Sequence, residues 1–328
     1  MVTTCGNFSC SNEGIKQCSK CKSVCYCCRE CQLEHWKVHK KLCSIIASNS
    51  SALAEAEAHY KKAAQFQLHH RPDAALASYR QALVIYKNVL NEQHILAANI
   101  HICIGTILLE KNKYPEALVS YQKSLAIYKE LVGENHESTA AALAGCGTAL
   151  RRMRQFDEAL VELNKSLKIR RQLLGENHTE TADTYEAIGY VMRDKGRYDD
   201  ALIGAGKALS IRKRLLGEDH PDLAISYTNV GIILEAKKEL DEALRQYETA
   251  VAIDERSLGA NHLNTARSRN CCALLLHKQG KYDEALKIYS FTYEVFEREL
   301  GISHAETSMT KRHMMLAKIR QPFFNLSA

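Results

Sequence analysis

No run of roughly 18 apolar residues occurs in the 328-residue sequence, so nothing in it reads as a membrane-spanning helix. Its opening, MVTTCGNFSCSNEG, has neither a basic stretch nor an apolar core and does not read as a secretory leader. Outside a cysteine-rich head, no segment alternates polar and apolar residues long enough to make a strand. A Gly-rich phosphate loop, an H-E-x-x-H pair and a nucleophile elbow are also missing, which argues against the enzyme classes those motifs mark. These absences point to an intracellular protein of the cytoplasm or nucleus, not an enzyme, with no membrane partner and no small-molecule substrate.

What the sequence does have is unevenly placed. Nine of its 13 cysteines lie in residues 1–43, and the other four are Cys103, Cys146, Cys271 and Cys272. In a reducing compartment clustered thiols bind metal more often than one another. The net charge of +6 suggests a polyanion partner at first sight. Seven metal-bound thiolates and two divalent cations would bring it to about +3, which argues against nucleic acid.

The remainder of the chain is periodic. His94, His136, His178, His220, His262 and His304 are spaced by 42 residues, inside words such as GENHESTA, GENHTETA and GEDHPDLA. Gly105, Gly147, Gly189 and Gly231 keep the same beat, as do the Ala-Leu pairs at 75, 117, 159, 201, 243 and 285. A fixed period of this size marks a solenoid. Each period holds two helical stretches. In the second, Leu118, Tyr121, Leu125, Ile127 and Tyr128 share one side at helical spacing. It ends at Gly133, with Gly175, Gly217, Gly259 and Gly301 in later copies, where a helix needs a left-handed residue. The glycine inside each first helix costs about 1 kcal/mol and implies a neighbouring helix too close for a side chain. The six histidines, each opening a helix, read as caps rather than metal ligands. Cys146 and Cys272 fall at core positions and read as buried, inert thiols.

This part resembles the tetratricopeptide repeat (TPR) family in its 42-residue, kinesin light chain-like form. The resemblance rests on Gly105 and its counterparts, on Tyr114, Phe156, Tyr198 and Tyr282 at the turn, and on the LGENHxxTA linker. It implies an all-α, right-handed superhelical solenoid of about six hairpins, over about 52–93, 94–135, 136–177, 178–219, 220–261 and 262–303. A capping helix at 304–320 and a tail at 321–328 would follow. Repeat one is atypical, with Asn91 in a glycine position and Lys62 in an apolar one, as end repeats tend to be. In this family the first helices line a concave groove, which would place Asn99, Arg151, Asp183, Glu186, Tyr190, Arg193, Asn229, Arg267 and Asn270 against an extended peptide. The basic runs KIRRQLLG and IRKRLLG on second helices read as solvated convex faces.

The head has its own chemistry. Cys18-x2-Cys21 has the spacing of a zinc knuckle. Cys27 with Cys31, and His39 with Cys43, are i, i+4 pairs on helical stretches. With Cys5 and Cys10 these make four pairs, enough for two tetrahedral zinc ions, whose binding would supply folding energy that so small a module lacks. Cys25 competes for a place in one site, whereas Cys28 and His35 read as surplus.

The series CSKCKSVCYCCRECQLEHWKVHKKLC resembles the MYND zinc finger, a small module separate from the all-α part and joined to it by a short linker at 44–51. The resemblance implies interleaved sites: Cys5, Cys10, Cys27 and Cys31 on one ion, and Cys18, Cys21, His39 and Cys43 on the other. Four residues separate Cys5 from Cys10 instead of the family's usual two. MYND fingers bind short proline-containing peptides, which points to Gln32 and Trp36, the only tryptophan, as partner contacts. The expected function is a protein–protein interaction adaptor with two peptide-binding modules. A transcriptional or chromatin co-regulator acting through the finger is the alternative. A methyltransferase-related enzyme is a weaker alternative, because the repeats begin near residue 52 and leave no room for a SET domain.

Overall fold

The computed structural model describes residues 16–17, 25–26, 45, 48–90 and 93–324. They fall in two compact units, Met1–Gln155 and Phe156–Ala328. The eight expected zinc ligands, together with Cys28, Gln32, His35, Trp36 and Asn91, lie outside the described residues. Within the head, β1 (Lys16–Gln17) pairs antiparallel with β2 (Cys25–Tyr26), Lys16 opposite Tyr26 and Gln17 opposite Cys25.

The other regular elements described are helices. The first unit holds α1 (Ser50–Leu68), α2 (Pro72–Leu90), α3 (Ile95–Glu110), α4 (Tyr114–Val132) and α5 (Glu137–Arg152). The second holds α6 (Phe156–Leu173), α7 (Thr179–Asp194), α8 (Tyr198–Leu216), α9 (Pro221–Lys237), α10 (Leu240–Leu258), α11 (Leu263–Lys278), α12 (Tyr282–Leu300) and α13 (Ala305–Phe324). Sequential helices pack as hairpins: α1 on α2 and α3 on α4 in the first unit, then α7 on α8, α9 on α10 and α11 on α12 in the second. Within each unit a second helix also packs on the first helix that follows it, as α4 does on α5 and α12 on α13.

The linker word has a mechanical explanation. Each periodic histidine accepts, through Nδ1, the backbone N–H two residues on, and the first five have extended backbone. The distances are 3.2 Å at His94, 3.1 Å at His136, 3.2 Å at His178, His220 and His262, and 3.3 Å at His304. These are N-caps made by imidazole instead of the usual hydroxyl or carboxylate. Three residues on, the hydroxyls of Thr139, Thr181 and Thr265 donate to the carbonyls of Gly133, Gly175 and Gly259 at 2.8, 2.9 and 2.8 Å. Gly133, Gly217, Gly259 and Gly301 have φ between 83° and 91°. Their ψ of 157–176° puts them in a region only glycine adopts freely, not in the left-handed helical well. The glycine turns the chain, its carbonyl is held by threonine, and histidine starts the next helix.

Small residues then let the hairpins close. The recurrent Ala75, Ala117, Ala159, Ala201, Ala243 and Ala285 are each fully buried. A Cβ on Gly105 would come within 2.8 Å of the Tyr121 ring, and one on Gly231 within 2.5 Å of the Tyr247 ring. Where the second helix carries Ala205 instead of tyrosine, Gly189 and Gly204 bring the two backbones themselves together, with the Gly204 position 2.9 Å from the Tyr185 carbonyl. Cys146 and Cys272 are buried, and burial pushes the Cys272 thiol up to about 12, consistent with inert core thiols.

The ends of the array are modified. Lys62, on a column apolar elsewhere, is exposed and lies 5.7 Å from the Phe66 ring centre. At the other end α13 sets Ser308 and Lys318, both exposed, where α11 buries Ala266 and Leu276. The last helix meets water on the side a further hairpin would cover. It runs to Phe324, past the expected end near 320.

Two outcomes test this account. Gly231→Ala should lose about 1–3 kcal/mol by overpacking in urea denaturation followed by circular dichroism, with part of the loss recovered in Gly231→Ala/Tyr247→Leu. A cap that accepts through Nδ1 requires neutral imidazole, and burial lowers the pKa of His94. As pH falls below about 6.5, the unfolded chain takes up that proton first, so the cap's contribution is complete above this value and is lost on acidification. The urea midpoint should fall between pH 7.5 and 5.5, and His94→Asn, which caps without titrating, should reduce the slope.

Candidate functional site: the surface of the first helices

In the second unit the surface of α7, α9, α11 and α13 is organised from behind. Arg212 of α8 is 8% exposed and donates to Asp183 Oδ1 at 2.6 Å, to Glu186 Oε1 and Oε2 at 2.8 and 3.0 Å, and to Ser226 Oγ at 2.7 Å. One guanidinium therefore ties together α7 and α9. Asn229 Nδ2 of α9 adds a donor to Glu186 Oε1 at 2.9 Å. Burial alone would lower the Arg212 pKa, but the bonds from Glu186 and Asp183 outweigh it and raise it further, so the group stays charged.

The same column has a related solution one repeat earlier and a different one later. Arg170, 5% exposed, donates to the Glu180 carbonyl at 3.0 Å and Thr184 Oγ1 at 2.9 Å, and pairs with the Glu180 carboxylate at 2.7 Å. Asp254 is buried and accepts from Ser268 Oγ at 2.6 Å; burial raises its pKa despite that bond. This corrects the reading of KIRRQLLG and IRKRLLG as wholly solvated. Arg170 and Arg212 turn inward, while the next cations, Arg171 and Lys213, stay out and pair with Glu176 and Glu218 of the linker words. The missed signal is a 42-residue column, Tyr86, Tyr128, Arg170, Arg212, Asp254 and Phe296, where a position aromatic in some repeats must be buried in all. A hydroxyl 14 residues on, at Thr184, Ser226 and Ser268, accompanies each charged member.

The anticipated partner residues are placed as follows. Asp183, Glu186 and Asn229 come together around Arg212, with Glu186 largely enclosed. Arg193 lies over the Tyr190 ring at 5.5 Å and pairs with Asp194 at 2.8 Å. Arg267 of α11 pairs with Glu306 of α13 at 3.1 Å. Asn270 is half-buried, and its Oδ1 has no hydrogen-bond partner. In the first unit Asn99 accepts from the Tyr128 hydroxyl, and Arg151 is half-buried. Among the described residues no group of three or more His, Cys, Asp or Glu could hold a metal, and no helix is long and apolar enough to cross a membrane.

A tetratricopeptide repeat model matches overlapping segments from residue 54 to residue 289: 54–130, 96–172, 147–203, 180–256 and 228–289. The chain belongs to the tetratricopeptide repeat family. A MYND finger model matches residues 4–43. Among solved structures the fold is similar to a kinesin light chain-type protein of Podosopora anserina with nearly identical TPR-like repeats, at 18% identity, TM-score 0.54, over 63% of this chain and 98% of that one. It is also similar to a Rap protein complexed with Competence and Sporulation Factor, at 18% identity, TM-score 0.55, over 87% and 80%. A third similar structure is aspartyl phosphate phosphatase F of Bacillus subtilis, at 12% identity, TM-score 0.58, over 89% and 74%. At these identities the likeness is one of fold.

The network behind α7 makes a stability prediction. Arg212→Met strands Glu186 and should cost about 3 kcal/mol, whereas Arg212→Met/Glu186→Gln should recover much of it, because removing one partner of a buried pair costs more than removing both. Chemical denaturation of the single and double variants reads this directly.

Proposed function

We propose that this chain is a non-enzymatic adaptor that holds partner proteins by peptide segments at two places, the finger and the first-helix surface of the repeats. The observation that carries the reading is the strip formed by Asp183, Tyr190, Arg193 and Asn229 on α7 and α9. Its side chains are pre-positioned by the buried Arg212 and by stacking of Arg193 on Tyr190, so little conformational entropy remains to be lost when a peptide binds. Amide, carboxylate and guanidinium groups in a row suit an extended backbone and its polar side chains. The Rap neighbour, in complex with Competence and Sporulation Factor, is consistent with a fold of this kind engaging a partner.

In the finger, Cys5, Cys10, Cys27 and Cys31 would hold one zinc ion and Cys18, Cys21, His39 and Cys43 the second. Cys18 follows β1 directly and Cys27 follows β2 directly. The interleaved assignment follows the pairing that the MYND resemblance implies. Cys25 lies within β2, opposite Gln17, and is left as the spare thiol. Zinc here acts as a structural cross-link, and Gln32 and Trp36 are the proposed peptide contacts of the module. Nucleic acid and lipid are not the proposed partners.

Affinity capture from cell extract tests the adaptor reading. Wild type, Cys18→Ala and Tyr190→Ala/Arg193→Glu should retain different subsets of partners, because two separate surfaces are in use. Identical capture by all three would contradict it. Metal analysis should return two zinc ions per chain. Chelation should abolish finger-dependent capture and leave the helical circular dichroism signal intact; a simultaneous loss of helicity would contradict independent modules.

A further inference from the structure

First helices of the second unit are joined by charged pairs, Lys278 of α11 with Glu235 of α9 and Arg267 of α11 with Glu306 of α13, but among the described residues the first of these pairs has no counterpart between α11 and α13. Glu235, near the end of α9, accepts from the Tyr247 hydroxyl 12 residues on at 2.9 Å and also from Lys278 Nζ, 43 residues on, in the next first helix. In the first unit Gln67 does the first of these jobs, accepting from the Tyr79 hydroxyl at 2.8 Å. One repeat after Glu235 the same position is His277, with Tyr289 as the equivalent tyrosine and Arg320 as the equivalent cation. Histidine therefore stands where α9 has a carboxylate, while a tyrosine and a cation remain at the positions that Glu235 serves.

The consequences are visible in the geometry. Tyr289 is fully buried, and its hydroxyl has no hydrogen-bond partner among the described residues. The buried Nδ1 atoms of His277 and His313, whose rings lie 6.2 and 5.9 Å from the Tyr289 ring, have none either. Burial, followed by the charges of Arg320 and His313, lowers the His277 pKa; burial and then Arg312 do the same to His313. The neighbourhood is short of negative charge. Neither Arg312 nor Arg320 has an acidic partner among the described residues, and both are exposed. Beside them on the same face of α13, Met309, Leu316 and Ile319 are 58, 39 and 64% exposed. They occupy the repeat positions that hold Asp183, Tyr190 and Arg193 in α7.

We infer that the face of α13 bearing Arg312, Leu316, Ile319 and Arg320 is a docking site for an acidic amphipathic peptide segment of a partner protein. Its carboxylates take the two unpaired guanidinium groups, and its aliphatic side chains cover Met309, Leu316 and Ile319. Charge complementarity identifies the occupant: the face offers two exposed cations with no acidic partner among the described residues, one of them, Arg320, at the repeat position where Lys278 has Glu235, next to uncovered aliphatic surface. The inference rests on the adaptor reading and assigns one end of the first-helix surface a specific ligand chemistry.

Fluorescence anisotropy with the full chain tests it. The probes are a labelled helical peptide of Glu and Leu with leucines at i, i+3, i+4 and i+7, and its Lys/Leu counterpart; sedimentation with phosphatidylserine vesicles is the third arm. The Glu/Leu peptide should bind saturably and more weakly as salt rises, the Lys/Leu peptide should not bind, and vesicles should not sediment the protein. Arg312→Glu/Arg320→Glu should weaken the Glu/Leu peptide by about tenfold or more with an unchanged thermal melt, and Ile319→Ser should weaken it without altering the salt dependence. Unaltered affinity in the double variant, absence of Glu/Leu binding, or vesicle binding in its place would overturn the inference. If capture still depended on Tyr190 and Arg193, the adaptor reading would survive that failure. If neither capture nor peptide binding depended on any first-helix residue, both would fall.

Discussion

The repeats of this protein depend on one junction, in which a histidine starts the next helix, a glycine turns the chain before it in every copy after the first, and in three copies a threonine holds the turn. The glycine conformation excludes side chains, and the histidine satisfies a helix N-terminal amide that would otherwise face water. Because the junction recurs every 42 residues, successive helices start in the same rotational phase. Side chains one period apart therefore occupy equivalent environments, and a column of the sequence becomes a column of the structure. Without that shared phase, a buried arginine in one repeat would have no reason to find a hydroxyl at the start of the next first helix.

The columns divide the work. Fully buried alanines and the glycine-for-ring exchanges at Gly105 and Gly231 set how closely hairpin helices approach. Where tyrosine gives way to Ala205, backbone moves against backbone at Gly189 and Gly204, so the same architecture is reached by a different fit. A second column carries polarity into the interior of the second unit through Arg170, Arg212 and Asp254. Such groups cost desolvation energy, and at Arg212 that cost is met by bonds that also orient Asp183, Glu186 and Asn229. Core and candidate binding surface are thus parts of one hydrogen-bonded network. The surface changes character along the unit, from this polar strip on α7 to an aliphatic and cationic face on α13.

The repeat period, the capping histidines, the places where glycine ends a helix and the buried thiols were legible in the sequence, whereas the conformation of those glycines and the end of the last helix were not. Each legible feature follows from interactions within a few residues or from a column that never changes chemical class. The cysteine spacing of the head is local in the same sense, and the MYND match over residues 4–43 agrees with it. The inward turn of Arg170 and Arg212 was not legible within a single helix and shows in the sequence only when the 42-residue columns are aligned. Within their own helices they sit beside other cations, and their partners lie from 10 to 29 residues away.

Sequence alone therefore determined the architecture: a cysteine-rich finger followed by paired helices in a strict period, because capping, turn chemistry and helical patterning act over short distances. Tertiary structure alone decided which charges are neutralised inside the protein and which remain for a partner. Glu235 satisfies both a tyrosine and a lysine 43 residues on, while Arg312 and Arg320 look equally ordinary in the chain yet find no acid among the described residues. The physical reason is that charge pairing between helices depends on which side chains packing brings within reach, and no local pattern encodes that distance.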